Sequence, residues 1–64
     1  MYLKGSWLYY SKSGLLRVYD ASGRVVLIKE LKGEGRLNLE GMVTGKGIYF
    51  ISIEGKVLKW IKID

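Results

Sequence analysis

Apolar residues along this chain come in short runs, and polar breaks that contain glycine separate the runs. The i, i+3, i+4, i+7 spacing of an amphipathic helix never persists through a full window, whereas Val, Ile, Leu, Tyr and Trp recur as they do in strands. The pattern predicts no helix and about six strands, over residues 2–10, 15–19, 24–31, 36–39, 48–53 and 56–63. We therefore expect an all-β fold, either a small antiparallel immunoglobulin-like sandwich or a barrel-like variant of it.

Alternation within the strands predicts which side chains face the core. In the run 15–19, Leu16 and Val18 should point inward, with Arg17 and Tyr19 outward. In the run 56–63, the odd positions should form the core face and the even positions the outer face; the odd positions are Val57, Ile61 and Ile63, and the even ones are Lys56, Leu58, Trp60 and Lys62. The run 48–53 is apolar on both faces, which indicates either a central strand or one that a partner covers.

Glycine-containing turns separate the predicted strands. Residues 11–14 and 20–23 each end in glycine and predict turns with a left-handed glycine, and the Asp20 carboxylate should accept hydrogen bonds from the backbone that follows it. Glu54 and Gly55 predict a two-residue hairpin turn. Residues 40–47 form the longest connection, in which Met42 and Val43 should close one end of the core.

The length and the composition limit what the chain can be. Sixty-four residues are enough for one domain. Because the chain contains no Cys and no His, we expect no disulfide and no zinc, iron or copper site. No apolar run approaches the ~20 residues of a membrane helix, and the first residues lack the apolar core of a signal peptide. We therefore expect no cofactor, and an export signal, if the chain needs one, on a larger secreted parent protein.

Catalytic motifs are missing from the sequence. Without His or Cys, a nucleophile activated by histidine and a cysteine nucleophile are both excluded. Most of the six carboxylates lie at turns beside Gly or Lys, as solvated and turn-forming residues do. The glycines of residues 41–47 lack the spacing and the following helix of a phosphate-binding loop. The chain is predicted not to be an enzyme.

One group of residues suggests binding. Arg17, Tyr19, Trp60 and Lys62, all predicted to face outward, combine aromatic rings with cations, which is what stacking on bases or sugars requires. The same pairing also stabilises exposed sheet faces and protects strand edges, so this structural role is an alternative. The net charge of +5 is compatible with a nucleic-acid partner.

An ordered set of short segments resembles a known family. The segments are Leu16-Arg17-Val18-Tyr19-Asp20, Gly23-Arg24-Val25-Val26, Leu37-Asn38-Leu39 and Gly47-Ile48-Tyr49-Phe50-Ile51, followed by the Lys-bearing strand to Ile63. Over residues 15–63 the chain is similar to the type A C-terminal sorting domain of the type IX secretion system. It lacks proline, and with it the proline-containing segment of the front of that domain; the run 2–10 is not matched.

The resemblance implies an immunoglobulin-like sandwich at the C-terminus of a secreted or cell-surface protein, which an outer-membrane export machine recognises. By position, Asp20 and Gly23 would form a hairpin corner, Gly47 and Tyr49 would begin the central strand, and Lys59 or Lys62 would be the basic residue near the end. We expect a non-enzymatic sorting or accessory module whose partner is the export machinery or its parent protein. The alternatives are a small basic nucleic-acid-binding domain and a purely structural or self-associating module, the latter forming a homodimer through open strand edges.

Overall fold

The computed structural model describes residues 1–63, and in this range the chain forms seven strands in two antiparallel sheets. The strands are β1 (Tyr2–Lys4), β2 (Trp7–Tyr10), β3 (Gly14–Asp20), β4 (Val25–Leu31), β5 (Gly35–Asn38), β6 (Gly47–Ile53) and β7 (Lys56–Lys62). The smaller sheet has the order β1-β2-β5 and the larger one β4-β3-β6-β7. The predicted all-β fold is confirmed. No helix in residues 1–63 is long and apolar enough to cross a membrane.

The predicted first strand is wrong, because residues 2–10 form a hairpin. Lys4 pairs with Trp7 across a two-residue turn, and Gly5 takes a φ of 62° at the first position of that turn. A type II′ turn needs this left-handed conformation at its first central residue, where glycine has no Cβ to clash. The chain then leaves the hairpin for the other sheet, so residues 11–14 do not form the predicted hairpin turn, and Gly14 has no positive φ.

A single apolar layer lies between the two sheets. The larger sheet contributes Leu16 and Val18, which point inward as predicted, and the smaller sheet contributes the fully buried Leu8. The complete set of buried apolar residues is Leu8, Leu16, Val18, Leu31, Leu39, Val43, Tyr49, Ile51, Ile53 and Trp60. Val43 closes one end of the core as expected, whereas Met42 is exposed. Along one side of the sandwich, β1 contacts β7.

The predicted faces of β7 are reversed. Trp60 is only 5% exposed and Lys62 8%, whereas Val57 and Ile61 are 59% and 57% exposed. Trp60 pairs with Tyr49 across the strands, with ring centroids 5.6 Å apart. Burying one large indole in this layer removes more apolar surface from water than burying either of the branched aliphatic side chains on the other face. Ile63, also predicted to lie in the core, is exposed.

Lys62 tolerates its inward position because its ammonium is paired with a carboxylate. The ammonium Nζ lies 3.7 Å from Oε1 of Glu40, a residue that is half exposed at the sandwich end. A long aliphatic stem can cover apolar neighbours while the ammonium reaches a carboxylate and solvent. The inward face of β7 therefore includes a lysine without an isolated buried charge.

Tyr49 joins the core to the longest loop. Its hydroxyl lies 3.0 Å from the Thr44 carbonyl and 2.8 Å from the Gly45 carbonyl, so one O–H is shared between two acceptors. The phenol ring is buried against Trp60. The loop between β5 and β6 is thus held from inside the sandwich.

Replacing Tyr49 with Phe tests this tether. The substitution keeps the ring and removes the hydroxyl, so the free energy of unfolding should fall by about 1 kcal/mol. For a domain of this size, that corresponds to a decrease in Tm of roughly 4–8 °C. Thermal unfolding followed by circular dichroism would measure it. An unchanged Tm would show that the hydroxyl does not hold the loop.

The β6–β7 hairpin offers a stabilising substitution. Ile53 pairs with Lys56, and the two residues between them, Glu54 and Gly55, have φ values of 50° and 81°. Both central residues of a type I′ turn need positive φ, and Asn adopts it at a lower cost than Glu. Glu54→Asn should therefore raise the free energy of unfolding by about 0.5–1 kcal/mol. Urea denaturation would measure this, and a lower midpoint would contradict it.

Candidate functional site

The four residues predicted to form a binding surface lie on two different faces. Arg17 is exposed and Tyr19 is half-buried on the outward face of β3, as predicted. Trp60 and Lys62 face the core, so their predicted outward orientation is wrong. The structure therefore does not bring the four side chains together, and the outward face of the larger sheet must be described from its own residues.

Strand register defines that outward face. Tyr19 on β3 pairs with Phe50 on β6, and Phe50 pairs with Lys59 on β7. Two residues earlier on β3, Arg17 pairs with Ser52 on β6. Since paired residues share a face, Arg17 and Lys59 both lie on the face that carries Tyr19 and Phe50.

Exposed apolar side chains flank the two cations. They come from all four strands of the larger sheet and include Val25, Ile28, Leu15, Ile48, Phe50, Val57 and Ile61. We call this surface, together with Arg17, Tyr19 and Lys59, the open face. Glu30 on β4 pairs with Leu15 and is the carboxylate that the register places there. A large apolar surface flanked by charges is typical of a protein interaction site.

Sequence reasoning missed most of the open face. Alternation predicts Val57 and Ile61 in the core, and the family resemblance implies for Lys59 only the role of a basic residue near the end. The signal that pointed to this surface was the strand 48–53, whose two faces are both apolar. Its inward residues Tyr49 and Ile51 are buried, and Phe50 between them remains 36% exposed.

The β3–β4 turn contains a local network centred on Asp20. Oδ1 of Asp20 accepts hydrogen bonds from the Ser22 hydroxyl at 2.6 Å and from the backbone N–H groups of Ser22 and Arg24 at 3.0 Å each. Oδ2 accepts a charge-assisted bond from Nε of Arg24 at 3.1 Å. The Ser22 hydroxyl, with further help from both backbone N–H groups and the Arg24 charge, lowers the pKa of Asp20. The carboxylate thus fixes the turn in its ionised form.

Gly23 and Gly47 lie at the edges of the same region. Gly23 occupies the turn with a φ of 91°, and its N–H donates to the Asp20 carbonyl at 3.0 Å. Gly47 begins β6, two residues before Tyr49. Asp20 pairs with Tyr49 across β3 and β6. The four residues assigned by resemblance therefore lie around one end of the β3–β6 pair.

Comparison with known families identifies the chain. The family model described as the secretion system C-terminal sorting domain matches residues 5–63. The chain belongs to this family. No curated protein and no solved structure matches it.

The match extends the sorting domain toward the N-terminus. It begins at Gly5, in the β1–β2 turn, and so includes β2, which the sequence resemblance left out. The family consists of sorting domains for type IX secretion and not of catalytic domains. The protein that carries such a domain is secreted or exposed at the cell surface, and the domain's partner is the export machinery.

The Asp20 network makes the stability of the sorting domain depend on pH in a defined direction. Because the pKa of Asp20 is lower in the folded state, the network contributes its full stabilisation above the carboxyl's ordinary pKa and loses it as the pH falls through the lowered value. Asp20→Ala should lower the Tm at neutral pH, and the difference from the unmodified chain should shrink in acid.

Thermal unfolding between neutral pH and strong acid would measure this dependence. Ser22→Ala is a matched variant, since it removes only the largest contribution to the lowered pKa and should produce a smaller change in the same direction. A Tm difference that stays constant across the pH range would contradict the role of the ionised carboxylate.

Proposed function

We propose that this chain is the C-terminal module of a larger exported protein and that the type IX machinery recognises it through the open face. The family membership supports the sorting role. The exposed apolar residues of the larger sheet, with Arg17 and Lys59 among them, support the choice of surface. The occupant of this face is then a receptor protein of the export machinery.

The apolar part of the open face explains why a partner would bind there. Val57 and Ile61 are more than half exposed, and Ile28 is 58% exposed on the opposite edge strand. Covering these side chains removes apolar surface from water, which drives most protein association. Strand pairing already fixes the backbone that carries these side chains, so little backbone entropy is lost when a partner binds.

The charged part of the face indicates the kind of partner surface. Arg17 lies on the inner strand β3 and Lys59 lies midway along the edge strand β7, whereas Glu30 lies near one end of β4. A complementary receptor surface would combine apolar side chains with carboxylates. Such pairing accelerates encounter and sets orientation more than it adds affinity.

The nucleic-acid and self-association hypotheses stay predictions. The four residues first assigned to a stacking site do not share a surface, which removes the original reason to place nucleic acid on them. Self-association would use the same open face or the outer edges of β4 and β7. A purified domain that forms dimers would support self-association, whereas a monomer would leave the open face available to another protein.

An export assay tests the proposal. Residues 1–64 are fused behind a periplasm-targeted reporter in a bacterium that has the type IX machinery, and reporter outside the cell is compared with reporter in the periplasm. The unmodified fusion should be exported. Phe50→Asp and Ile61→Asp should each reduce export roughly tenfold or more, because a charge replaces an apolar contact in the interface.

A matched substitution away from the open face provides the control. Met42 is 40% exposed on the loop between β5 and β6, so Met42→Asp adds the same charge at similar exposure and should leave export unchanged. Circular dichroism of each purified domain shows that the variants are folded. Periplasmic retention of the folded unmodified fusion would overturn the sorting function, whereas full export of both folded open-face variants would overturn only the choice of surface.

A further inference from the structure

The outward face of the smaller sheet differs in chemistry from the open face. Leu3, Leu8 and Leu37 pair across β1, β2 and β5 and lie on the inward side. The alternate positions therefore point away from the core. They are Tyr2, Lys4, Trp7, Tyr9, Arg36 and Asn38, which we call the aromatic face.

Cross-strand contacts hold the rings of this face in place. The rings of Tyr2 and Tyr9 stack with centroids 4.8 Å apart and planes 8° from parallel. The guanidinium of Arg36 lies 4.7 Å from the ring centroid of Trp7. Tyr2 is nevertheless 58% exposed and Trp7 36% exposed. The rings are thus ordered before any ligand arrives, and part of their surface is still in water.

The polar groups of the aromatic face favour an anionic ligand. Lys4 and Arg36 are cations, and none of the six side chains is a carboxylate. Oδ1 of Asn38 accepts bonds from the Glu40 backbone N–H and the Ser6 hydroxyl, each at 3.0 Å, which fixes the amide and leaves its NH2 group to donate elsewhere.

An open groove continues the face beside the tyrosines. Tyr2, Tyr9 and Arg36 line the groove, together with Tyr10 and with Glu34, which directly precedes β5. Glu34 would repel a negative group at its end of the groove, so the anionic groups of a bound chain would lie at Arg36 and Lys4. The aromatic face and the groove together extend across β1, β2 and β5, so a polymer can contact more of this surface than a single small molecule.

We propose that the aromatic face binds an acidic polysaccharide. The C–H groups of a sugar ring are slightly positive and pack against the negative face of an aromatic ring, while carboxylate or sulfate groups meet Lys4 and Arg36. The choice of polysaccharide over nucleic acid rests on the proposed function. If the parent protein is exported, the domain reaches the cell surface, where acidic polysaccharides are common ligands. The open face stays available to the export receptor, because it lies on the other sheet.

A titration with matched polymers tests the ligand class. The purified 64-residue domain is titrated with polygalacturonate, with the same polymer after full methyl esterification, and with single-stranded oligothymidylate. Measurements at about 0.15 M salt limit purely long-range attraction. Trp7 is exposed and Trp60 is buried, so a change in tryptophan emission on binding reports mainly on Trp7. Polygalacturonate should bind most tightly of the three.

Substitutions on the two sheets test the location. Trp7→Ala and Tyr2→Ala should each weaken polygalacturonate binding roughly tenfold, the loss of one stacking contact, as measured by calorimetry. Tyr19→Ala removes a tyrosine from the open face and should leave binding unchanged. Tyr2 lies on an exposed edge strand, so Tyr2→Ala keeps the test valid if Trp7→Ala unfolds the domain.

Three results would overturn the inference. The first is no binding to polygalacturonate, and the second is binding that neither substitution weakens in folded protein. The third is tighter binding to oligothymidylate, which would assign the face to nucleic acid instead. None of these binding measurements depends on export, so a result that overturns polysaccharide binding leaves the proposed sorting function intact.

Discussion

The contact between Trp60 and Tyr49 determines how the rest of the sandwich is arranged. The two residues are direct partners across β6 and β7, and both rings are buried in the single apolar layer. Side chains alternate along a strand, so a shift of one residue in this register would move the indole to solvent and bring Ile61 inward. Tyr49 also anchors the β5–β6 loop through its hydroxyl. One pair therefore sets the register of the last hairpin and closes the loop at one end of the core.

The exposed apolar surface is a consequence of the same contact. β7 carries apolar side chains on both of its faces, and only one face can enter a core that is one layer thick. With Trp60 inside, Val57 and Ile61 remain outside beside Phe50 and Ile48. Lys62 accompanies the indole inward because its stem is apolar and its ammonium reaches Glu40. The core and the open face are thus two results of one choice of register.

Features that depend on a few neighbouring residues could be predicted from the sequence, whereas features that depend on pairing could not. The Asp20 turn, the Glu54-Gly55 turn and the inward side of β3 follow from local chemistry and from a strand with one apolar face. For β7, alternation led to the wrong face, because both faces are apolar and the cross-strand partner of Trp60 is not visible in the sequence. Gly5 inside the run 2–10 was the available signal for the first hairpin, since an isolated glycine in a strand pattern often marks a break. Reading it as a turn would have placed Tyr2, Trp7 and Tyr9 on one face.

The two outward faces carry cations for different physical reasons. On the open face, Arg17 and Lys59 interrupt a mostly apolar surface, and such interruptions discourage copies of a chain from associating face to face. A receptor with carboxylates in matching positions can still cover the surface, so the charges select among partners. On the aromatic face, Arg36 lies over Trp7, and Tyr2, which stacks on the half-buried Tyr9, remains exposed. There the cation adds to a stacking surface, which suits a ligand that brings rings and negative charge together.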